Sequence, residues 1–241
     1  GGNFQDPHHP ELTGRSVLTS RFDDLGVAAE FGMTVEELEE RLAGLRARMF
    51  EARGNRVPPG LDDKVLTSWN GLALAAFAEA ARVFDDARYR AIAERNAAFV
   101  REKLWSDGRL LHTYKDGIAK IDGLLEDYAY YALGLLELYR LTGEFSHLAW
   151  ASDLFEAVLS RFHDPSGGGF FDTPADGEQL LVRQKSIFDA ATPSGNGAAA
   201  LLAAWLARYF ARPEWDRIAR DTVALVEPYL LQAPSGFGAT W

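Results

Sequence analysis

Hydrophobic positions along the chain follow helical spacing, and the same order of elements occurs three times. Each copy opens with a helix that is apolar on most of its faces, at residues 68–84, 124–141 and 194–210. A helix without a polar face is buried rather than lying on a surface. The pattern therefore predicts three inner helices.

A second helix follows each inner helix after a break of a few residues. These helices, at residues 88–104, 145–162 and 214–231, carry one apolar stripe and place Arg, Glu and Asp on the other face. Such amphipathic helices have one side in solvent. The short breaks predict antiparallel helical hairpins, and the Gly-rich connections that follow predict small β-hairpins or irregular loops.

The N-terminal part is typical of the tail of an earlier repeat. Thr34 and Glu37 match a capping box, which predicts a helix that runs to about Arg53. Residues 1–33 are expected to be an extended or loop lead-in. We predict one all-α domain over residues 1–241, with about three and a half hairpins over residues 34–241.

Alternating inner and outer helices with long loops at one end are typical of an (α/α)6 toroid. We predict a partial toroid with about seven helices of ten or more residues. At this repeat length a ring of six hairpins needs roughly 360 to 420 residues. We therefore expect the missing toroid half, or self-association, to cover exposed edges near Leu72–Leu74 and Leu201–Leu202.

Composition narrows the function classes. The chain is 47% hydrophobic and 25% charged, as in an ordinary globular protein. Its net charge of −10 argues against sequence-independent nucleic-acid binding. It has no cysteine, which excludes disulfides and thiolate sites, and no apolar run of about 20 residues. We expect a cytoplasmic protein that binds no membrane, metal or cofactor.

Polar side chains concentrate where the loops enter the inner helices. Repeat geometry places the N-termini of these helices on one rim of the ring, so residues far apart in sequence converge on one concave face. The candidate residues are Asp62, Asp63, Lys64, Trp69, Asn70, Glu126, Asp127, Tyr128, Lys185, Asp189, Ser194 and Asn196.

Roles follow from residue chemistry. The acid–base candidates are Asp63, Glu126 and Asp127, because paired carboxyl groups flank the scissile bond in glycoside hydrolysis. Lys64 and the two asparagines are expected to orient polar groups. Trp69 and Tyr128 are expected to line the pocket, since aromatic rings commonly line small-molecule sites.

Structural roles compete with these functional ones. Thr67, Ser68, Thr192 and Ser194 are equally good helix caps. For residues 62–64, ion pairing or loop fixing is favoured. Asn70 and Asn196 must find partners, in either a structural network or a ligand. His112, in the loop before the second inner helix, is within reach of the rim, but a solvent-exposed or structural role is favoured for it.

Three strings resemble the spermatogenesis-associated protein 20 family, whose bacterial members are YyaL-type thioredoxin-domain-containing proteins. They are DDKVLTSWNGLALAAFAEAA, LLEDYAYYALGLLELYRLTG and RQKSIFDAATPSGNGAAALLAAW. The resemblance covers nearly the whole chain. It implies a thioredoxin-like domain followed by a six-hairpin glycosidase-like toroid similar to N-acylglucosamine 2-epimerases, of which this chain is the later part.

Two functions are compatible with these observations. The leading hypothesis is a rim that binds a carbohydrate-like or small polar ligand, with hydrolase or epimerase chemistry. The rival is a non-catalytic interaction scaffold attached to a redox domain, in which the polar motifs only cap and tie helices. Burial discriminates them, because a ligand site needs polar groups that face an open cavity.

Overall fold

The computed structural model describes residues 2–19 and 22–238 and divides the chain into two compact units. The units are Gly1–Asp62 and Asp63–Trp241, where the sequence led us to expect one domain. The rim candidates from Asp63 onward belong to the second unit, whereas Asp62 is the last residue of the first.

The first unit contains two helices, α1 (Asp24–Phe31) and α2 (Val35–Gly54). Thr34 and Glu37 form the predicted capping box at the start of α2, which confirms that helix. The expectation of a loop over residues 1–33 is wrong for α1. The Asp23 side chain accepts a hydrogen bond from the Gly26 backbone N–H and so caps this short helix.

The second unit is built from three helical hairpins. They pair α3 (Thr67–Phe84) with α4 (Ala87–Lys103), α5 (Leu125–Thr142) with α6 (Phe145–Arg161), and α7 (Gly195–Tyr209) with α8 (Pro213–Ala224). A short α9 (Glu227–Leu230) follows. With α2, seven helices of ten or more residues lie in the described part of the chain, which confirms the predicted number.

Helix α5 is the centre of the second unit. It packs against α3 on one side, α7 on another and its hairpin partner α6. Most of its side chains are buried, as its all-round apolar pattern predicts. Contact with α3 is made backbone to backbone: a Cβ on Gly71 would lie 2.5 Å from the Tyr131 amide nitrogen, and one on Gly134 would lie 2.7 Å from the Gly71 carbonyl oxygen.

A small antiparallel sheet precedes α5. Its strands are β1 (Val65–Leu66), β2 (Trp105–Ser106), β3 (Arg109–Lys115) and β4 (Ile118–Asp122), and β3 pairs with the other three. The first Gly-rich connection therefore forms the predicted hairpin. Thr113 of β3 pairs with Leu66 of β1 on one side and with Lys120 of β4 on the other. Because α3 begins directly after β1, the middle of β3 lies against the start of α3.

Apolar side chains are exposed on the two outermost inner helices. Leu74 is fully buried, but Leu201 on α7 is 46% exposed and Trp69 on α3 is 63% exposed. Buried Leu202, next to Leu201, shows that only one face of α7 is open. The association expected at these edges stays a prediction.

Candidate functional site

The first turns of α3, α5 and α7 lie at the same end of the second unit. The Ser68 amide of α3 donates a 2.8 Å hydrogen bond to Asp127 of α5. A Cβ on Gly195 of α7 would lie 3.1 Å from the Leu125 side chain and 3.7 Å from the Glu126 amide nitrogen. The three polar clusters therefore converge on what we call the rim, the first turns of these three helices with the β3 residues against them.

Asp127 ties together the parts of the rim. Its Oδ1 accepts the Ser68 amide, and its Oδ2 accepts the Leu124 amide and His112 Nδ1, each at 2.8 Å. The side chain is fully buried. Charge-assisted bonds of this kind are among the strongest hydrogen bonds in proteins. With its oxygens engaged by backbone and imidazole, Asp127 is a positioning residue rather than the acid–base group expected from the sequence.

His112 enters the rim from β3 and keeps 22% of its side chain exposed. An ionised carboxylate only accepts hydrogen bonds, so the bond to Asp127 requires a proton on Nδ1. The other ring nitrogen, Nε2, takes no part in this bond. The hydrogen bond to Asp127 raises the pKa of His112, against the opposing effect of burial. The imidazolium is thus stabilised at a defined orientation.

Glu126 is the other ionisable group of the rim with an unusual environment. It is half-buried, and burial raises the pKa of its carboxyl group, helped by the negative charge of Asp127. A hydrogen bond from Ser68 and the charge of His112 act in the opposite direction. Glu126 and His112 therefore act electrostatically on each other.

The stability of the second unit is expected to depend on pH through His112. Its pKa is raised in the folded state, so its contribution is complete below the unfolded value of about 6.5 and is lost as pH rises through the folded value. The variant His112→Gln should lack this decline. Urea unfolding of both proteins, followed by tryptophan fluorescence, tests it, since all six tryptophans lie beyond residue 62. Parallel curves from about pH 5.5 to 8.5 would contradict the assignment.

The candidates before α3 lie on the surface. Asp63 pairs with Lys115 Nζ at 2.6 Å, which lowers the pKa of its carboxyl group and accords with the ion-pair role favoured from sequence. Lys64 is exposed, and its charge acts on His112. Trp69 presents an exposed indole in the first turn of α3. Asp62 is exposed in the first unit.

The two asparagines are engaged in internal networks. Asn196 is buried, accepts the Phe170 amide at 2.8 Å, and donates to the carbonyl oxygens of Phe170 and Ser186 at 2.9 and 3.1 Å. Asn70 donates to the Leu66 carbonyl at 2.8 Å and accepts from Asn96 at 2.9 Å. Of the two alternatives, the structure shows the structural network for both amides.

Tyr128 and Lys185 are structural anchors. The Tyr128 ring is fully buried against Phe162, and its hydroxyl accepts from the Leu110 amide at 2.9 Å and from Arg161 at 2.8 Å. A ring without an exposed face cannot stack on a ligand, so we withdraw the pocket-wall interpretation. Lys185 donates to Asp164 Oδ2 and to the Gly168 carbonyl, both at 2.6 Å.

Helix capping explains part of the third cluster. Ser194 caps α7, since its hydroxyl accepts the Gly197 amide at 3.0 Å, and Asp189 accepts the Ser194 amide at 2.8 Å. Thr67 and Ser68 are not caps, because α3 begins at Thr67. Their polar groups instead bind outside the helix: the Thr67 hydroxyl donates to the Leu111 carbonyl, and the Ser68 amide to Asp127.

Tyr130 was not among the sequence candidates and lies next to the rim, in the second turn of α5. Its hydroxyl donates to the Pro193 carbonyl, which fastens the connection before α7 to α5. Burial raises the pKa of the hydroxyl, and the charges of Glu126 and Asp189 add to the effect. Its position one helical turn after Glu126, on the same face of α5, is the signal that would have found it.

Metal-ligand clusters and membrane-spanning helices are both absent from the part of the chain that the structure describes. No group of three or more His, Cys, Asp or Glu side chains in residues 2–19 and 22–238 is arranged to hold a metal ion. Within the same ranges, no helix has the length and hydropathy to cross a bilayer.

Most of the chain aligns in sequence with one set of relatives. Spermatogenesis-associated protein 20 from Homo sapiens is 35% identical over 212 residues, and the Mus musculus protein is 36% identical over 207. The chain is homologous to spermatogenesis-associated protein 20. The matches cover 83% and 81% of this chain but 27% and 26% of those proteins, so the chain spans about a quarter of their length. No family model matches the chain.

Structural comparison shows the fold. A cellobiose 2-epimerase from Spirochaeta thermophila superimposes with a TM-score of 0.55 at 16% identity, over 71% of this chain and 44% of that one. A family 76 glycoside hydrolase (mannosidase) from Bacteroides thetaiotaomicron gives 0.58 at 13% identity, over 69% and 45%. Both have the six-hairpin (α/α)6 toroid fold, which confirms the predicted fold class.

Proposed function

We propose that the rim of the second unit binds a carbohydrate or a similar small polar ligand and supports acid–base chemistry on it. The observation that carries the proposal is the placement of Glu126 and His112. Both are ionisable and partly accessible, and both have environments that raise their pKa. Perturbed ionisable groups cluster at functional sites.

The comparisons support a carbohydrate as the ligand class. The proteins of the same fold include a cellobiose 2-epimerase and a mannosidase, both of which act on sugars. Their identities of 16% and 13% carry the fold alone. For this chain the sugar class is therefore a proposal, together with hydrolase or epimerase chemistry, and the exposed Trp69 at the rim supports it.

Trp69 is the proposed stacking surface for a sugar ring. Its indole lies in the first turn of α3, next to Ser68, whose amide binds Asp127. A large aromatic side chain that is 63% exposed offers its apolar face to a ligand, whereas a core tryptophan does not. Lys64 and Glu126, whose charges both act on His112, supply hydrogen-bonding groups of opposite charge at the rim.

The rival function, a non-catalytic scaffold, is not favoured. The buried Asp127, Asn196 and Tyr128 all have hydrogen-bond partners within the protein, as a scaffold requires. A scaffold has no need for a partly exposed imidazole held by a buried carboxylate, and this dyad favours the ligand site.

Binding is tested with the chain and a panel of glucose, mannose, cellobiose and mannobiose, by saturation-transfer NMR and calorimetry. At least one sugar should bind, and Trp69→Ala should weaken binding about tenfold, the loss expected for one aromatic contact. Phe145→Ala is the matched control, because Phe145 is an equally exposed aromatic at the start of α6, at the opposite end of the α5–α6 hairpin. Failure of every sugar to bind, or equal binding by both variants, would refute the proposed site.

A further inference from the structure

We propose that the rim transfers protons to and from an open-chain reducing sugar, with Glu126 as the base at the carbon next to the carbonyl group and His112 as the acid at the carbonyl oxygen. This inference rests on the proposed function and adds the substrate class and the reaction. Asp127 acts through His112 and is a positioning residue.

The geometry assigns the acid. Asp127 is buried, and two backbone amides hold it in place, from Ser68 and Leu124. Asp127 accepts a hydrogen bond from His112 Nδ1 at 2.8 Å. The protonated ring therefore has its second N–H on Nε2, which does not contact Asp127 in this bond. An imidazolium held in one orientation can donate to a carbonyl oxygen as that oxygen gains negative charge.

The base follows from the position of Glu126 beside the dyad. Ser68 hydrogen-bonds the Glu126 side chain, and the Ser68 amide binds Asp127, the partner of His112. Burial and the charge of Asp127 raise the pKa of the Glu126 carboxyl group. A carboxylate whose pKa is raised by burial is a stronger base than an ordinary one.

The step balances without another reactant. The C–H bond next to the carbonyl group breaks and its proton forms an O–H bond on Glu126, while His112 gives its Nε2 proton to the carbonyl oxygen. The product is an enediol. The epimer forms if the Glu126 proton goes to the other face of the same carbon and the new hydroxyl group returns its proton to His112. The ketose forms if the Glu126 proton goes to the neighbouring carbon and the other enediol hydroxyl group gives its proton to His112.

The same residues argue against glycoside cleavage. That reaction uses two carboxyl groups across the scissile bond. Asp127 is fully engaged, and Asp172, whose charge acts on Glu126, accepts the Ser186 amide at 2.9 Å and the Ser186 hydroxyl at 2.7 Å. One carboxylate and one imidazolium fit proton transfer at carbon better.

Deuterium exchange tests the step. The chain is incubated in D2O with glucose, mannose and cellobiose, and loss of the C2 proton signal is followed by NMR. We expect exchange at C2 of at least one sugar, reduced about 100-fold or more by Glu126→Gln and by His112→Gln. The controls are Glu137→Gln, on the same helix and paired with Arg140, and His147→Gln, on α6 beside Glu144. Both should exchange like the wild type.

The pH profile provides a second measurement. Exchange should rise as Glu126 ionises and fall as His112 loses its proton. The charges that act on Glu126 are those of Asp127, Asp172 and His112. The charges that act on His112 are those of Asp127, Glu126 and Lys64. An optimum that lies between the two raised values supports the assignment of roles, and a rate that keeps rising above them overturns it.

The outcomes separate this inference from the proposed function. Sugar binding without exchange overturns the proton-transfer step and leaves the binding site standing. Cleavage of aryl glycosides without exchange overturns it in favour of hydrolysis. Absence of both binding and exchange refutes the site and the step together.

Discussion

Substitution of Gly71 by Ala is expected to destabilise the second unit by about 2 kcal/mol or more. The new Cβ would lie 2.5 Å from the Tyr131 amide nitrogen and 2.6 Å from the Tyr130 carbonyl carbon, closer than such atoms approach. Both are backbone atoms of α5, so relief requires the two helices to separate. Urea unfolding followed by tryptophan fluorescence measures the loss.

The reverse substitution on the same helix is the control. Ala76 lies on an exposed face of α3, and Ala76→Gly should cost about 1 kcal/mol through helix propensity alone. Alanine is thus preferred to glycine at position 76 and disfavoured at position 71. If Gly71→Ala proves stabilising, α3 and α5 do not touch as described.

The helices were predictable because their signal is local. Apolar residues repeated every three to four positions indicate that a segment is helical, and they also indicate which face of the helix is buried. It located α5 to within one residue at each end, and the run of apolar residues on every face indicated its central position. The capping box of Thr34 and Glu37 was equally local.

The rim was only partly predictable, because its decisive contacts cross between elements. His112 reaches Asp127 only because β3 pairs with β1 and so lies against the start of α3. The register between β1 and β3 depends on residues far apart in sequence, and neither strand carries a local sequence pattern that predicts it. The sequence therefore indicated that polar residues converge at one end but ranked His112 below the residues of the helices.

The wrong role for Tyr128 has a simpler cause. An aromatic residue beside two carboxylates suggested a pocket wall, but α5 is buried on every face, so position alone sends the ring into the core. Its hydroxyl is then satisfied by Leu110 and Arg161. Trp69 stays exposed because α3 is covered on fewer sides than α5.

Substitution of Asp127 by Ala is expected to cost at least about 3 kcal/mol of unfolding free energy. It leaves the amides of Ser68 and Leu124 and the imidazole of His112 without their common acceptor. Because these donors come from three segments, the loss should loosen the start of α3, the start of α5 and β3 together. Asp127→Asn keeps the shape and one acceptor oxygen, and should fall between the wild type and Asp127→Ala.

Asp63→Asn is the matched control for the carboxylate. Asp63 contacts Lys115 on the surface, and exposed ion pairs contribute little to stability. His112 provides a second readout, because Asp127→Asn should return its pKa toward the ordinary value, followed by NMR titration of the imidazole. Asp127→Ala as stable as Asp63→Asn would show that the rim is held by other contacts. An unchanged His112 pKa in Asp127→Asn would remove the physical basis for its role as the acid.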